Sequence, residues 1–231
     1  MSVGVTGELK RESRETRLEV TTTVLVVALG QLLLGVVSLR NGWTLWGVRG
    51  WLWLIPILPE LLLAVTVVAE GRGGDLDQSG ERRKLGIALL ALVAVVNAFA
   101  LALLIIELFT GDVRTGGEMA IEAAVIWSTL ILSFGMLFWE LDGGGPRRRA
   151  MDPTGERDFL FSEMTAPKLV APDWHPRLLD YAYLAFTTAI AWSPADVMPL
   201  SRSAKVLMAI ETSLSALTIL LVASRAVSLI G

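Results

Sequence analysis

The sequence predicts an all-α polytopic transmembrane helix bundle of six spans, and three observations carry that prediction. Of its 231 residues 53% are hydrophobic, and the mean hydropathy is +0.59, more apolar than a soluble domain of this size tolerates. The apolar residues fall in blocks of about 20, the length a helix needs to cross a bilayer. Basic residues crowd into alternate loops, the pattern that sets orientation in a membrane.

The first 17 residues are polar, carry Lys10, Arg11, Arg14 and Arg17, and form a cytoplasmic N-terminal segment. The apolar run from Val20 to Leu39 is longer than a signal-peptide core, so it is a retained span. Within it Gln31, Gly35 and Ser38 share a face suited to close helix contact. The second span lies between Arg49 and Glu70, opening on Trp43, Trp46, Trp51 and Trp53 as an interfacial aromatic belt. Pro56 and Pro59 are expected to kink it or break its first half. A basic loop leads to the third span, Leu85 to Ile106, interrupted only by Asn97. The fourth, Ala123 to Trp139, keeps Glu122, Thr129, Ser133 and Glu140 on one face. Residues 18–141 thus form a four-span bundle.

Residues 142–177 open with Gly-Gly-Gly-Pro-Arg-Arg-Arg and carry five prolines. This stretch is too polar for a span and too short for its own core, so it is expected to be a solvated cytoplasmic loop with one interfacial turn near Asp158–Phe161. Residues 178–231 form a C-terminal helical hairpin broken at Ser193-Pro194-Ala195-Asp196. Its first arm, Tyr181 to Ala195, is about 22 Å long as a helix against a hydrocarbon core of about 30 Å. It spans if Asp180 and Asp196 sit at the two interfaces. The alternative is five spans plus a re-entrant hairpin, with Arg202 and Lys205 inside. Trp192, as a belt residue, favours the full span and both termini inside.

Six basic residues in the 142–177 loop, against one in the loop before it, set the N-terminus in the cytoplasm of a multi-pass protein of the bacterial plasma (inner) membrane. No continuous basic face exists for nucleic acid. The absence of cysteine and the single histidine, His175, exclude thiolate and His-rich metal sites, and no cofactor is expected. Glycine-rich phosphate loops, nucleophile elbows and zinc-protease signatures are missing, so no enzyme is expected.

Several motifs carry a resemblance. Trp127-Ser128-Thr129-Leu130, Asp158-Phe159-Leu160-Phe161, Asp180-Tyr181-x-Tyr183-Leu184-x-Phe186-Thr187 and Ser203-x-Lys205 resemble a family of uncharacterised bacterial polytopic integral membrane proteins. That family has D-x-L-Y-F-S-F-T followed by S-D, a basic turn and a last apolar helix; here Ser193-Pro194-Ala195-Asp196 stands at the S-D with a proline inserted. The resemblance implies a membrane location and a similar helix count, and no activity. Tyr183 to Thr188 followed by Val206 to Ile230 is more distantly similar to the pore hairpin of tetrameric cation channels. Ala189 to Ser193 lacks the glycines a potassium filter uses, and the preceding loop lies on the opposite side of the membrane from that fold's.

Four residues are candidates for a transport path: Glu60, Asn97, Glu211 and Asp196. A carboxyl near mid-span is costly unless protonated, paired or hydrated. Glu60, roughly 13 Å of helix from Trp51, is either a proton or cation site, or a neutral acid bonded to Asn97, Gln31 or a carbonyl freed by Pro59. Glu211, Ser215, Thr218, Arg225 and Ser228 share a stripe that turns from lipid, toward a polar path or toward neighbouring helices. Asp196 either joins the path or caps the last helix. The leading functional expectation is a channel-like or transport-related protein whose C-terminal hairpin lines a polar interior. The alternative is a non-transporting scaffold or partner-binding protein acting through the basic loop. The lipid bilayer is the expected partner, and a homo-oligomer is left open. Whether Glu60 and Glu211 line one path or pack separately discriminates the two.

Overall fold

The computed structural model describes residues 2–45, 48–49, 54–55, 57–70, 76–110, 116–172 and 174–228. Helix dominates: α1 (Ser2–Asn41), α2 (Ile57–Glu70), α3 (Leu76–Thr110), α4 (Gly116–Leu141), α5 (Pro146–Met151), α6 (Ser162–Thr165), α7 (Leu178–Ala191) and α8 (Arg202–Ser228). Among the described residues strands form two short antiparallel pairs, β1 (Thr44–Leu45) with β2 (Val48–Arg49), and β3 (Phe159–Phe161) with β4 (Val197–Pro199).

Among the described residues four helical stretches are long and apolar enough to cross a membrane, in α1, α3 and α8 and in the run Gly117–Met151 that contains most of α4. Their outward residues are apolar too. Val95 is 63% exposed, Phe99 58% and Leu220 58%, a surface that lipid solvates and water does not. On α1 the buried residues Val24, Val27, Ala28, Gln31, Leu34 and Ser38 recur at helical spacing, so one stripe packs inward as expected.

The other two apolar segments are shorter. Helix α2 has 14 residues and begins only at Ile57. Pro59 is tolerated there because first-turn N–H groups have no partner within the helix; it sits at the start of a half-length helix, the second of the two expected outcomes, while Pro56 lies outside the described residues. Helix α7 also has 14 residues, about 21 Å of rise. The six full-length helices of the expectation are therefore not found among the described residues. Trp46, Trp51 and Trp53 of the expected belt lie outside the described residues, while Trp43 packs half-buried against the core.

Two apolar clusters define the ends of the bundle. One holds Val24, Leu89, Leu90, Leu137, Phe138, Tyr181 and Met208; the other holds Leu34, Leu101, Leu104, Met119, Ala123 and Leu221. Helices α1, α3 and α8 thus run in one direction and α4 in the other. The ends of α1 and α8 therefore lie at opposite faces of the bundle from their starts, contrary to the expectation of both termini on one side. Helix α4 is central, packed by α1, α3, α7 and α8, while α2 packs on α1 and α3.

Most described residues of the 142–177 stretch are exposed or half-exposed, as a solvated loop requires, but it is pinned to the bundle near the expected turn at Asp158–Phe161. Phe159 and Phe161 are buried at 1% and 3% exposure, because the alternation of Phe159-Leu160-Phe161 suits a strand that pairs Phe161 with Val197. Leu200 N–H also donates to the Asp158 carbonyl at 2.8 Å. Phe161 meets the Tyr181 ring at 5.0 Å. The start of α7 and the start of α8 are consequently held at the same end of the bundle, beside the end of α4.

Candidate functional site

Between the two apolar clusters lies a layer of buried polar side chains: Gln31 on α1, Glu60 on α2, Asn97 on α3, Thr129 on α4, Thr188 on α7 and Glu211 on α8. Helical periodicity places each on an inward face, and every apolar neighbour in its stripe pulls it out of lipid. Thr129 and Thr188 satisfy themselves by donating to the carbonyls of Val125 and Leu184, each at 2.8 Å. Hydroxyls bonded to their own helix are spent. The same holds for Thr187, which donates to Tyr183 and Leu184 at 3.0 Å, so the pair expected to mimic a pore helix offers no free hydroxyl.

The carboxyls are different. Glu211 is 0% exposed and Glu60 3%, and neither carboxyl has a hydrogen-bond partner on either oxygen. Gln31 Oε1 and Asn97 Nδ2 also lack partners. The Gln31 side-chain amide approaches the Glu60 carboxyl as a donor, short of full hydrogen-bond geometry. Glu60 occupies the first turn of α2, where the unpaired N–H groups and the helix dipole favour negative charge.

Glu211 lies one helical turn before a contact between α8 and the end of the other half-length helix. One turn above it, Ser215 Oγ donates to the Ala189 carbonyl at 2.7 Å and accepts the Trp127 indole N–H at 2.8 Å. Ala189 lies two residues before the end of α7, which stops at Trp192 in the left-handed conformation (φ 56°). A tryptophan there costs about 1–2 kcal/mol relative to ordinary backbone. Residues 192–196 then return to β4; five residues of extended chain reach about 17 Å, enough to undo most of the rise of α7. The structure thereby places Trp192 at the tip of a segment whose two ends lie together. Of the expected Glu211 stripe, Ser215 and Thr218 are buried; Thr218 bonds back to Leu214 at 2.8 Å, and the side chains of Arg225 and Ser228 lie outside the described residues.

The four candidates are not brought to one point. Glu60 faces the α1–α3 side, Glu211 lies among α3, α4, α7 and α8, and central α4 is nearly continuously buried from Thr129 to Trp139. Asp196 is exposed on the returning segment and does not cap α8; Ser201 Oγ does, accepting the Ala204 N–H at 3.1 Å. Asp180 accepts the Arg177 N–H at 2.7 Å and so caps its own helix.

Sequence reasoning missed the residues that hold α7 in place. Asp142 is 0% exposed. Its Oδ1 accepts the backbone N–H groups of Asp158 and Phe159 at 2.7 and 3.1 Å, and its Oδ2 accepts the Tyr181 hydroxyl at 2.6 Å. Arg157 stands 3.8 Å from the same oxygen. Arg149 donates to the carbonyls of Trp139 and Asp142, both at 2.6 Å, and lies over the Tyr181 ring at 5.3 Å. Gly143 at φ 56° allows the reversal that folds this loop back. An aspartate closing an apolar helix before three glycines was the available signal.

Among the described residues no group of three or more His, Asp and Glu side chains is placed to hold a metal ion. No family model, no curated protein and no solved structure matches this chain.

Proposed function

We propose that this is a non-enzymatic integral membrane protein that passes protons or monovalent cations through its apolar layer by way of Glu211. It crosses the plasma membrane five times, with α7 as a re-entrant half-helix, the N-terminus in the cytoplasm and the end of α8 outside. The basis for the orientation is the basic residues of the segment that closes one end, among them Arg148, Arg149, Arg157, Arg177, Arg202 and Lys205, which the positive-inside rule assigns to the cytoplasm. The resemblance to uncharacterised bacterial membrane proteins accords with the location.

The observation that carries the functional reading is Glu211 itself. A fully buried carboxyl without partners is costly in an apolar interior, and it lies one turn from the C-terminal end of a half-length helix. Such ends present carbonyls and negative dipole to a passing cation. The path belongs to the α7–α8 side, since α4 fills the bundle axis and separates Glu211 from Glu60. Reconstituted full-length protein should dissipate an imposed proton or alkali-cation gradient, and Glu211→Gln should abolish that flux while inserting normally. Flux that persists unchanged in Glu211→Gln removes this reading.

A second reading, a non-transporting scaffold, is favoured by the separate packing of Glu60 and Glu211 on either side of α4 and by the cap that Asp142, β3 and β4 build at one end. Absence of flux for every ion tested selects it.

A further inference from the structure

We propose that Arg148, Lys84 and Arg83 form a site for the phosphate of an anionic phospholipid, in the leaflet that borders the end of α4. The geometry starts from Gly144 and Gly145, whose φ angles are 82° and 98°. A Cβ on Gly144 would stand 2.6 Å from Arg148 Cδ and 3.2 Å from its Nη1. One on Gly145 would stand 2.8 Å from Arg83 Nε. Bare backbone thus lets arginines from α5 and α3 lie across neighbouring residues of one loop, their guanidiniums at most about 13 Å apart.

The cations of this cluster are unequally spent. Arg83 Nη2 donates to the Glu140 carbonyl at 3.1 Å, and its Nε stands 3.4 Å from the Glu140 carboxylate. Arg157 stands 3.8 Å from Asp142, and Arg149 donates to two carbonyls. The nearby acids are engaged too. Asp158 accepts the Gly143 N–H at 3.0 Å, and Asp152 accepts the Thr154 hydroxyl at 3.3 Å. Arg148 and Lys84 are exposed, and neither side chain makes a hydrogen bond or ion pair with a described residue. Two charges are left for a ligand.

Depth selects that ligand. The apolar stretch of α3 begins at Arg83, which puts the glycine loop at the level of the lipid headgroups. From there Leu85, Leu92, Val95 and Phe99 are all exposed and share one face of α3. An acyl chain lies along this stripe with its phosphate at Arg148 and Lys84. Guanidinium donors match a phosphodiester in charge and geometry, and basic pockets at the ends of membrane helices hold anionic headgroups. A soluble anion gains nothing from the apolar stripe.

The site rests on the membrane reading above and is indifferent to ion passage at Glu211, which flux judges separately. The test is native mass spectrometry of the full chain released from detergent micelles. Phosphatidylglycerol, phosphatidylcholine or inorganic phosphate is added at equal concentration. Phosphatidylglycerol should be retained well above phosphatidylcholine, and inorganic phosphate should not displace it. Arg148→Gln and Lys84→Gln should each lower that retention about fivefold, the effect of one cation near an anionic surface. Both side chains are exposed, so neither change disturbs the core. Lys168→Gln removes the same charge at another exposed position and should leave retention unchanged. Equal retention of the two lipids, displacement by phosphate, an equal loss in Lys168→Gln, or no loss in Arg148→Gln each overturns the proposal.

Discussion

The Tyr181 hydroxyl donates to the Asp142 carboxylate at 2.6 Å, across 39 residues of sequence, and both side chains are 0% exposed. This bond fastens the first turn of α7 to the end of α4. Tyr181→Phe removes the donor to Asp142 Oδ2 and leaves that oxygen in a dry site, with the Arg157 guanidinium at 3.8 Å. We expect a loss of about 1.5–3 kcal/mol, the range for hydrogen bonds to charged groups, seen as a lowered unfolding temperature in detergent. Wild-type stability in Tyr181→Phe would mean the clasp contributes nothing.

Close backbone approach is the second determinant of where α7 sits. A Cβ on Gly135 would stand 2.9 Å from Ala182 Cα and 3.3 Å from the Tyr181 carbonyl, atoms that cannot swing aside. Overpacking costs about 1–3 kcal/mol, against at most ~1 kcal/mol gained by replacing a helical glycine with alanine. Gly135→Ala should therefore destabilise and Gly135→Val more so. Gly30→Ala, where nothing lies within 4 Å, should be neutral or stabilising in the same assay.

Ser215 ties three helices together through the Trp127 N–H and the Ala189 carbonyl. Ser215→Ala strands both, at a cost of about 1–3 kcal/mol, and Trp127→Phe removes one bond as well as altering the packing. Because the two share a bond, the double variant should lose less than the sum of the singles. Strict additivity in a thermal-unfolding cycle would argue against the bond.

The re-entrant proposal makes a topological prediction. The chain contains no cysteine, so single replacements report cleanly. In intact cells Thr154→Cys and Ala195→Cys should both resist a membrane-impermeant thiol reagent, and Ser224→Cys should react with it. Labelling of Ala195→Cys from outside would restore a full fifth span.

Much of this protein follows from the linear order of its residues. Apolar blocks at helical spacing determine that it is all-α and holds membrane-length helices, since burying a backbone in lipid requires every N–H and C=O to bond within its own segment. The inward faces of α1 and α4, with Gln31, Ser38, Glu122 and Thr129, were equally legible, because periodicity is a local property. Tertiary structure decided the rest. The fate of the Tyr181–Ala195 segment depends on Phe159–Phe161 pairing with Val197–Pro199, a contact spanning 36 to 40 positions that no local pattern encodes. The separation of Glu60 from Glu211 depends on which helix takes the centre. Helix α4 takes it because its residues from Thr129 to Trp139 are apolar or small nearly all round, so they are best satisfied when every side meets another helix.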